Sequence, residues 1–219
     1  MARIAEDLLL LLLDNPSAQP GLNRARLRQV LSGAVLLDLA CATHLRPAGP
    51  GDSVPDGQLI ALASAVPVDA VSLPALQLVR QRPLPVQVAL SKLGRGTESG
   101  LIAALEQSRQ LRRVDVGPIW RRNVTYPLTD RSRVGQARAA LMAALFDRQP
   151  PTPATAGIVT LLHAIDGLGS VLSLNDRGWR WVHARSAEIA GGGWVHESPT
   201  GVAELNLAVT ASALRSALS

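Results

Sequence analysis

The sequence predicts a mainly α-helical single domain of helices packed around one central buried apolar helix, with a protruding β-hairpin. Three observations carry this. The stretch Leu31-Ser-Gly-Ala-Val-Leu-Leu-Asp-Leu-Ala-Cys-Ala-Thr-His-Leu45 belongs to a run, Val30 to Ala42, that is almost entirely apolar and small, broken only by Ser32, Gly33 and Asp38. A helix apolar on every side belongs inside a protein, and this one is too short for a bilayer, which needs about 20 residues. Aromatic residues make up only 3% of the chain. The core must therefore be built from Leu, Val, Ile and Ala, which favours helices over sheets. Thirdly, the apolar period changes once: Arg112-Arg-Val-Asp-Val-Gly-Pro-Ile-Trp-Arg-Arg-Asn-Val-Thr-Tyr126 alternates around a Gly-Pro turn, as a hairpin does.

In chain order, residues 3–13 read as a first helix, ended by the prolines and glycine of Asn15-Pro-Ser-Ala-Gln-Pro-Gly21. Asn23 can cap the central helix, whose first turns carry Arg24, Arg26 and Arg28. Arg46 to Gly57, rich in Pro, Gly and Asp, reads as a loop, and Gln58–Ala63 as a short strand. A helix is expected over Leu73–Gln81, and Pro83 and Pro85 start another ending near Leu93. Thr97 sits at an N-cap, followed by Leu101, Ile102, Leu105 and Leu111 at helical spacing. Beyond the hairpin, Asp130 caps a helix running to about Phe146, and the Pro150-Pro-Thr-Pro153 run precedes another over Ala154–Ile165. Two last helices fit Asp176–Ala190 and Gly201–Leu218, divided by Gly191-Gly-Gly193. The segment after the proline run shows no independent core, so residues 1–219 are expected to form one domain.

The chain offers little to catalysis. Its histidines, His44, His163, His183 and His196, are isolated, without the cluster of Cys, His or acidic residues that a metal site needs. No Gly-x-Ser-x-Gly elbow, Walker loop or dinucleotide fingerprint appears. Cys41, the single cysteine, excludes an intrachain disulfide. Asp38 is the acid that stands out, since a buried carboxylate needs an arginine or a helix N-terminus to hold it. The expectation is a non-enzymatic protein with no metal and no cofactor. No signal peptide and no run of 18 apolar residues is visible, so the protein is expected to be cytoplasmic.

Charge is the better signal. The net charge is +5, and residues 76–138 hold 12 basic against 4 acidic side chains. Such asymmetry points to an anionic partner, nucleic acid or a membrane surface. Arg80, Arg82, Lys92, Arg95, Arg109, Arg112 and Arg113 lead up to a hairpin whose tip offers Ile119 and Trp120, with Arg121 and Arg122 behind. Guanidinium forks bind phosphate oxygens, tryptophan favours the membrane interface, and each basic residue near an anionic bilayer is worth about 1 kcal/mol.

The acidic, Leu-rich opening Ala5-Glu-Asp-Leu-Leu-Leu-Leu-Leu-Leu-Asp14, paired with Leu31-Ser-Gly-Ala-Val-Leu-Leu-Asp-Leu-Ala40, resembles the Golgi phosphoprotein 3 family, in its bacterial-type members. Tyr126-Pro-Leu-Thr-Asp130 after the hairpin and Arg185-Ser-Ala-Glu-Ile-Ala190 extend the likeness over residues 3–218. The resemblance implies a peripheral membrane protein that binds phosphatidylinositol 4-phosphate in a basic pocket formed by one tryptophan and three arginines. It also implies a hairpin that contacts the bilayer and serves oligomerisation, and a protein client held by an adaptor. In ungapped register the four pocket positions fall on Asn23, Ser32, Arg95 and Glu98, so Arg95 alone matches. Arg24, Arg26 and Arg28 offer a different anion site nearby.

The reading is a peripheral, reversibly membrane-associated protein with anionic lipid bound by Arg95, Arg24 and Arg28 and the membrane met by Ile119, Trp120, Arg121 and Arg122. The rival is a winged-helix-like nucleic-acid-binding protein. Against it, the helix from Thr97 to Gln110 presents Glu98, Glu106, Gln107 and Ser108 and one late Arg109, where a DNA-reading helix presents basic or amide side chains near its start.

Overall fold

The computed structural model describes residues 4–116, 123–196 and 201–218. Nine α-helices appear among them. The first two are α1 (Ile4–Leu13) and α2 (Arg24–Cys41). Next come α3 (Leu73–Gln81), α4 (Val86–Leu93), α5 (Thr97–Gln107) and α6 (Ser132–Phe146). The set closes with α7 (Pro153–Ala164), α8 (Asp176–Ala190) and α9 (Val202–Leu218). Strands β1 (Leu45–Pro47), β2 (Gln58–Ala61) and β3 (Leu84–Pro85) form a small antiparallel sheet in that order. Strands β4 (Val114–Val116) and β5 (Asn123–Thr125) form the hairpin.

Helix α2 is the central element. It packs against α1, α3, α4, α5, α7 and α9, and every residue from Val30 to Ala40 is buried. Asn23 starts it as expected, its side-chain oxygen accepting the Arg26 N–H at 3.0 Å. Gly33 marks the tightest crossing: a Cβ there would stand 2.8 Å from Leu161 Cδ2 of α7, with Leu214 of α9 and Leu90 of α4 also within 4 Å. Helix α1 is buried almost all round too, its six leucines each at most 1% exposed. One hydrophobic cluster runs from Ile4 to Leu214.

Two polar devices fix α1 in this apolar setting. At its N-terminus, Asp38 of α2 accepts the N–H groups of Ile4 at 2.7 Å and Ala5 at 3.1 Å. These donors have no partner within their own helix, so the acid within the apolar run caps a neighbouring helix. Along its flank, Arg133 of α6 donates to Asp7 at 2.7 Å and Glu6 at 2.5 Å, and Arg138 to Asp14 at 2.9 Å. Arg131 lies 3.9 Å from Asp14. Arg133 and Arg138, two of the twelve basic residues between 76 and 138, are thus tied to Glu6, Asp7 and Asp14 of the opening segment and add little to an outward basic surplus.

Three local expectations need correction. Arg46 and Pro47, expected in a loop, belong to β1 (Leu45–Pro47), paired with β2 as Leu45↔Ala61, Arg46↔Ile60 and Pro47↔Leu59. The turn beyond it is held by Arg46 and Asp52 at 2.6 Å. Thr97 is the first residue of α5 rather than its N-cap, which is Gly96; its hydroxyl instead donates back to Leu93 O of α4 at 2.9 Å. The N-cap of α6 is Arg131, although Asp130 just ahead still accepts the Ser132 N–H at 2.8 Å.

Leu36 is fully buried in α2, and Leu36→Ala is expected to destabilise the fold by about 2–5 kcal/mol in urea unfolding. A loss under about 0.5 kcal/mol, the range of surface substitutions, would place it outside the core. Asp38 supplies a pH signature. Burial pushes its carboxyl up to about 7 against the opposing pull of the Ala5 and Ile4 N–H groups. Between the ordinary carboxylate range and about 7 the folded chain holds a proton the unfolded chain has released. Stability therefore falls as pH rises through that window, by about 1.4 kcal/mol for each pH step of one. Asp38→Asn keeps the side-chain shape and cannot titrate. The stability of the wild type relative to Asp38→Asn should decline from pH ~4 to ~7 and level off above; a flat difference would show that Asp38 does not titrate there.

Candidate functional site

The first two turns of α2 carry Arg24, Arg26 and Arg28 and no acid, near the positive end of the helix dipole. That placement works against helix stability unless an anion sits nearby. On one side of this turn, α4 ends at Leu93, and the Gly94 N–H bonds to Leu90 O at 3.1 Å. Gly94 is buried against the Arg28 stem, where an added Cβ would come 3.4 Å from Arg28 Cβ. Arg95 follows immediately, exposed, at the corner leading into α5.

Between these segments lies a cavity of about 580 Å³. Its polar wall is Arg28 and Gln29 from α2, Gln87 and Ser91 from α4, and Arg95 from the corner. Ala25, Leu90, Gly94 and Ala217, the last from the final turn of α9, complete the lining, and no acidic residue takes part. Arg28 and Arg95 make no ion pair or hydrogen bond among the described residues. Arg133 and Arg138, by contrast, are tied to carboxylates. Two guanidinium groups facing one opening without internal partners can take an anion bidentately, and two amides and a hydroxyl can hydrogen-bond a polyhydroxylated or ester group beside it.

The structure brings together Arg28 and Arg95, two of the expected headgroup residues. Arg24 lies on the exposed first turn, outside the lining. Of the other register positions, Asn23 is occupied as the α2 cap, and Ser32 is 0% exposed in the core. Glu98 is half-buried in α5 and does not line the cavity. Gln29, Gln87, Ser91 and Ala217 were not anticipated. Gln87, Ser91 and Arg95 recur every four residues, so a helical stripe of polar groups was present in the sequence to be found.

The hairpin strands pair as Val114↔Thr125, Asp115↔Val124 and Val116↔Asn123. Its base is anchored by the Tyr126 N–H to Ala18 O at 2.8 Å and by the Leu111↔Leu128 bridge. Ile119, Trp120, Arg121 and Arg122 lie outside the described residues. The hairpin does follow a helix, as the winged-helix rival requires, but α5, Thr97–Gln107, contains no basic residue. Among the described residues no group of three or more His, Cys, Asp or Glu could hold a metal, and no helix is long and apolar enough to cross a membrane.

The chain thus combines a mainly helical fold and one hairpin with a pocket lined by two arginines at the head of the buried central helix. The family model described as Golgi phosphoprotein 3 (GPP34) matches residues 4–204, and the chain belongs to that family. No curated protein matches it.

The contrast among the arginines is measurable. Arg28→Ala and Arg95→Ala should each change stability by no more than about 0.5 kcal/mol. Arg133→Ala leaves buried Glu6 without one of its partners and should cost about 3 kcal/mol in chemical unfolding. Equal losses at Arg28 and Arg133 would mean that Arg28 serves the fold.

Proposed function

We propose that the chain is a non-enzymatic peripheral membrane protein that binds anionic phospholipid, with a phosphoinositide-type headgroup as the expected class, and presents a protein client at the membrane. The observation that carries this reading is the pair Arg28 and Arg95, without partners among the described residues, opening on one cavity with no acid in its lining. Family membership points the same way. The cavity supplies the headgroup contact. The segment joining β4 and β5 supplies the second contact, with Ile119 and Trp120 entering the interface and Arg121 and Arg122 held at the phosphates. Attachment is reversible, and the same hairpin serves self-association.

Two of the four family pocket positions, Asn23 and Ser32, are occupied by the α2 cap and the core. Binding is therefore expected to follow surface charge more than headgroup identity. In liposome flotation, Arg28→Ala and Arg95→Ala should each weaken binding to anionic vesicles by about 1 kcal/mol. Raising salt from about 0.05 to 0.5 M shortens the Debye length roughly threefold and should release most of the protein. Equal binding to neutral vesicles, or a shift of duplex DNA at the same salt without vesicle binding, would overturn the reading. Trp120→Ala should weaken vesicle binding by about 1–2 kcal/mol, the range for losing a buried large side chain, and leave the melting temperature unchanged. A lowered melting temperature would assign Trp120 to packing instead.

A further inference from the structure

A second opening lies between α1, α6 and α7, on elements that do not line the basic pocket. Its volume is about 280 Å³, room for roughly nine water-sized groups. Leu11, Leu141 and Ile158 form an apolar floor, and Ala137 and Ala140 keep the α6 wall low. The hydroxyls of Thr152 and Thr155, also in the lining, share one hydrogen bond at 2.9 Å, and Thr152 Oγ1 accepts the Thr155 N–H at 3.2 Å. The one ionisable group in the lining is Asp7.

Asp7 keeps about 20% of its side chain exposed. Its Oδ1 accepts from Arg133 Nε at 2.7 Å, but Arg133 also serves Glu6 through Nη1 at 2.5 Å. Asp7 Oδ2 accepts no hydrogen bond among the described residues. Burial raises the Asp7 carboxyl above its ordinary range even with the Arg133 guanidinium beside it. A cation at Oδ2 would favour the ionised form and would continue the alternation of carboxylate, guanidinium and carboxylate. An apolar floor of this size with one carboxylate in its wall suits a positively charged head on a short hydrocarbon body better than an anion.

We propose that the α1–α6–α7 groove is a binding site for a small aliphatic primary ammonium, its head on Asp7 Oδ2 and its chain over Leu11, Leu141 and Ile158. Three donors on the ammonium suit a single open carboxylate oxygen and leave the guanidinium bond to Oδ1 in place. The site is independent of the lipid reading.

Amide NMR titrations with hexylammonium, hexanol and hexanoate test it on the full chain. Hexylammonium should shift Ala137, Ala140 and Ala154 saturably, with affinity about tenfold above hexanol, as a charge-assisted hydrogen bond requires. Hexanoate should produce no shift. Asp7→Asn should abolish the preference for ammonium over alcohol. Ala140→Leu, which fills the groove and leaves Asp7 untouched, should abolish binding of both and keeps the test open should Asp7→Asn unfold. Neither change should affect vesicle binding. No saturable shift with hexylammonium, equal affinity for hexanol, or a preference that survives Asp7→Asn would overturn the proposal.

Discussion

The bond from Asp38 to the first two described N–H groups of α1 is the constraint on which the rest of the structure turns. Two helices, each apolar on nearly every side, could slide or rotate against one another with little change in buried area, because dispersion and hydrophobic burial are not directional. A carboxyl group held by backbone donors is directional. It sets the height of α1 along α2, and with it the positions at which α6 reaches Asp7 and Asp14. The side chains that surround α2 then interlock around Gly33, where three helices converge. Asp38 therefore sets register in a core that is otherwise nearly all aliphatic.

Arginine does two kinds of work in this chain, and the distinction rests on partners rather than on sequence. Arg133, Arg138 and Arg46 face carboxylates and are structural. Arg185 donates to Ala144 O near the end of α6, and Trp181 to Leu145 O, so α8 closes the terminal carbonyls of its neighbour. Arg28 and Arg95 have no such partner among the described residues.

Much of the fold could be read from residue patterns, since the helix limits at Leu73–Gln81 and Asp176–Ala190 agree with the sequence expectation. These segments carry their own punctuation in Pro74, Asn175 and Gly191. Asp38 was legible as an acid in need of a helix N-terminus or an arginine, though not which. The failures share a cause. β1 is three residues whose strand character comes only from pairing with β2. Thr97 back-bonds because α4 ends beside it, and a hydroxyl at that position reads equally well as a cap. The pairing of α6 arginines with α1 acids spans more than 120 residues, so local charge counts overstated the outward basic face. For the site, Arg28 and Arg95 were named together with Arg24, but which of the three meet depends on the crossing of α2 with α4.

The lining of the basic pocket has a consequence of another kind. Ala25 and Ala217, near opposite ends of the sequence, belong to the same wall. A helix end is ordinarily the first part of a fold to open, and the last turn of α9 would be no exception on its own. On the proposed reading, an occupant held by Arg28 and Arg95 would rest against that turn, so occupancy and the order of the last turn of α9 would be linked equilibria. The pocket is then also a clasp, and proteolytic susceptibility of the last helix becomes a readout of whether it is filled.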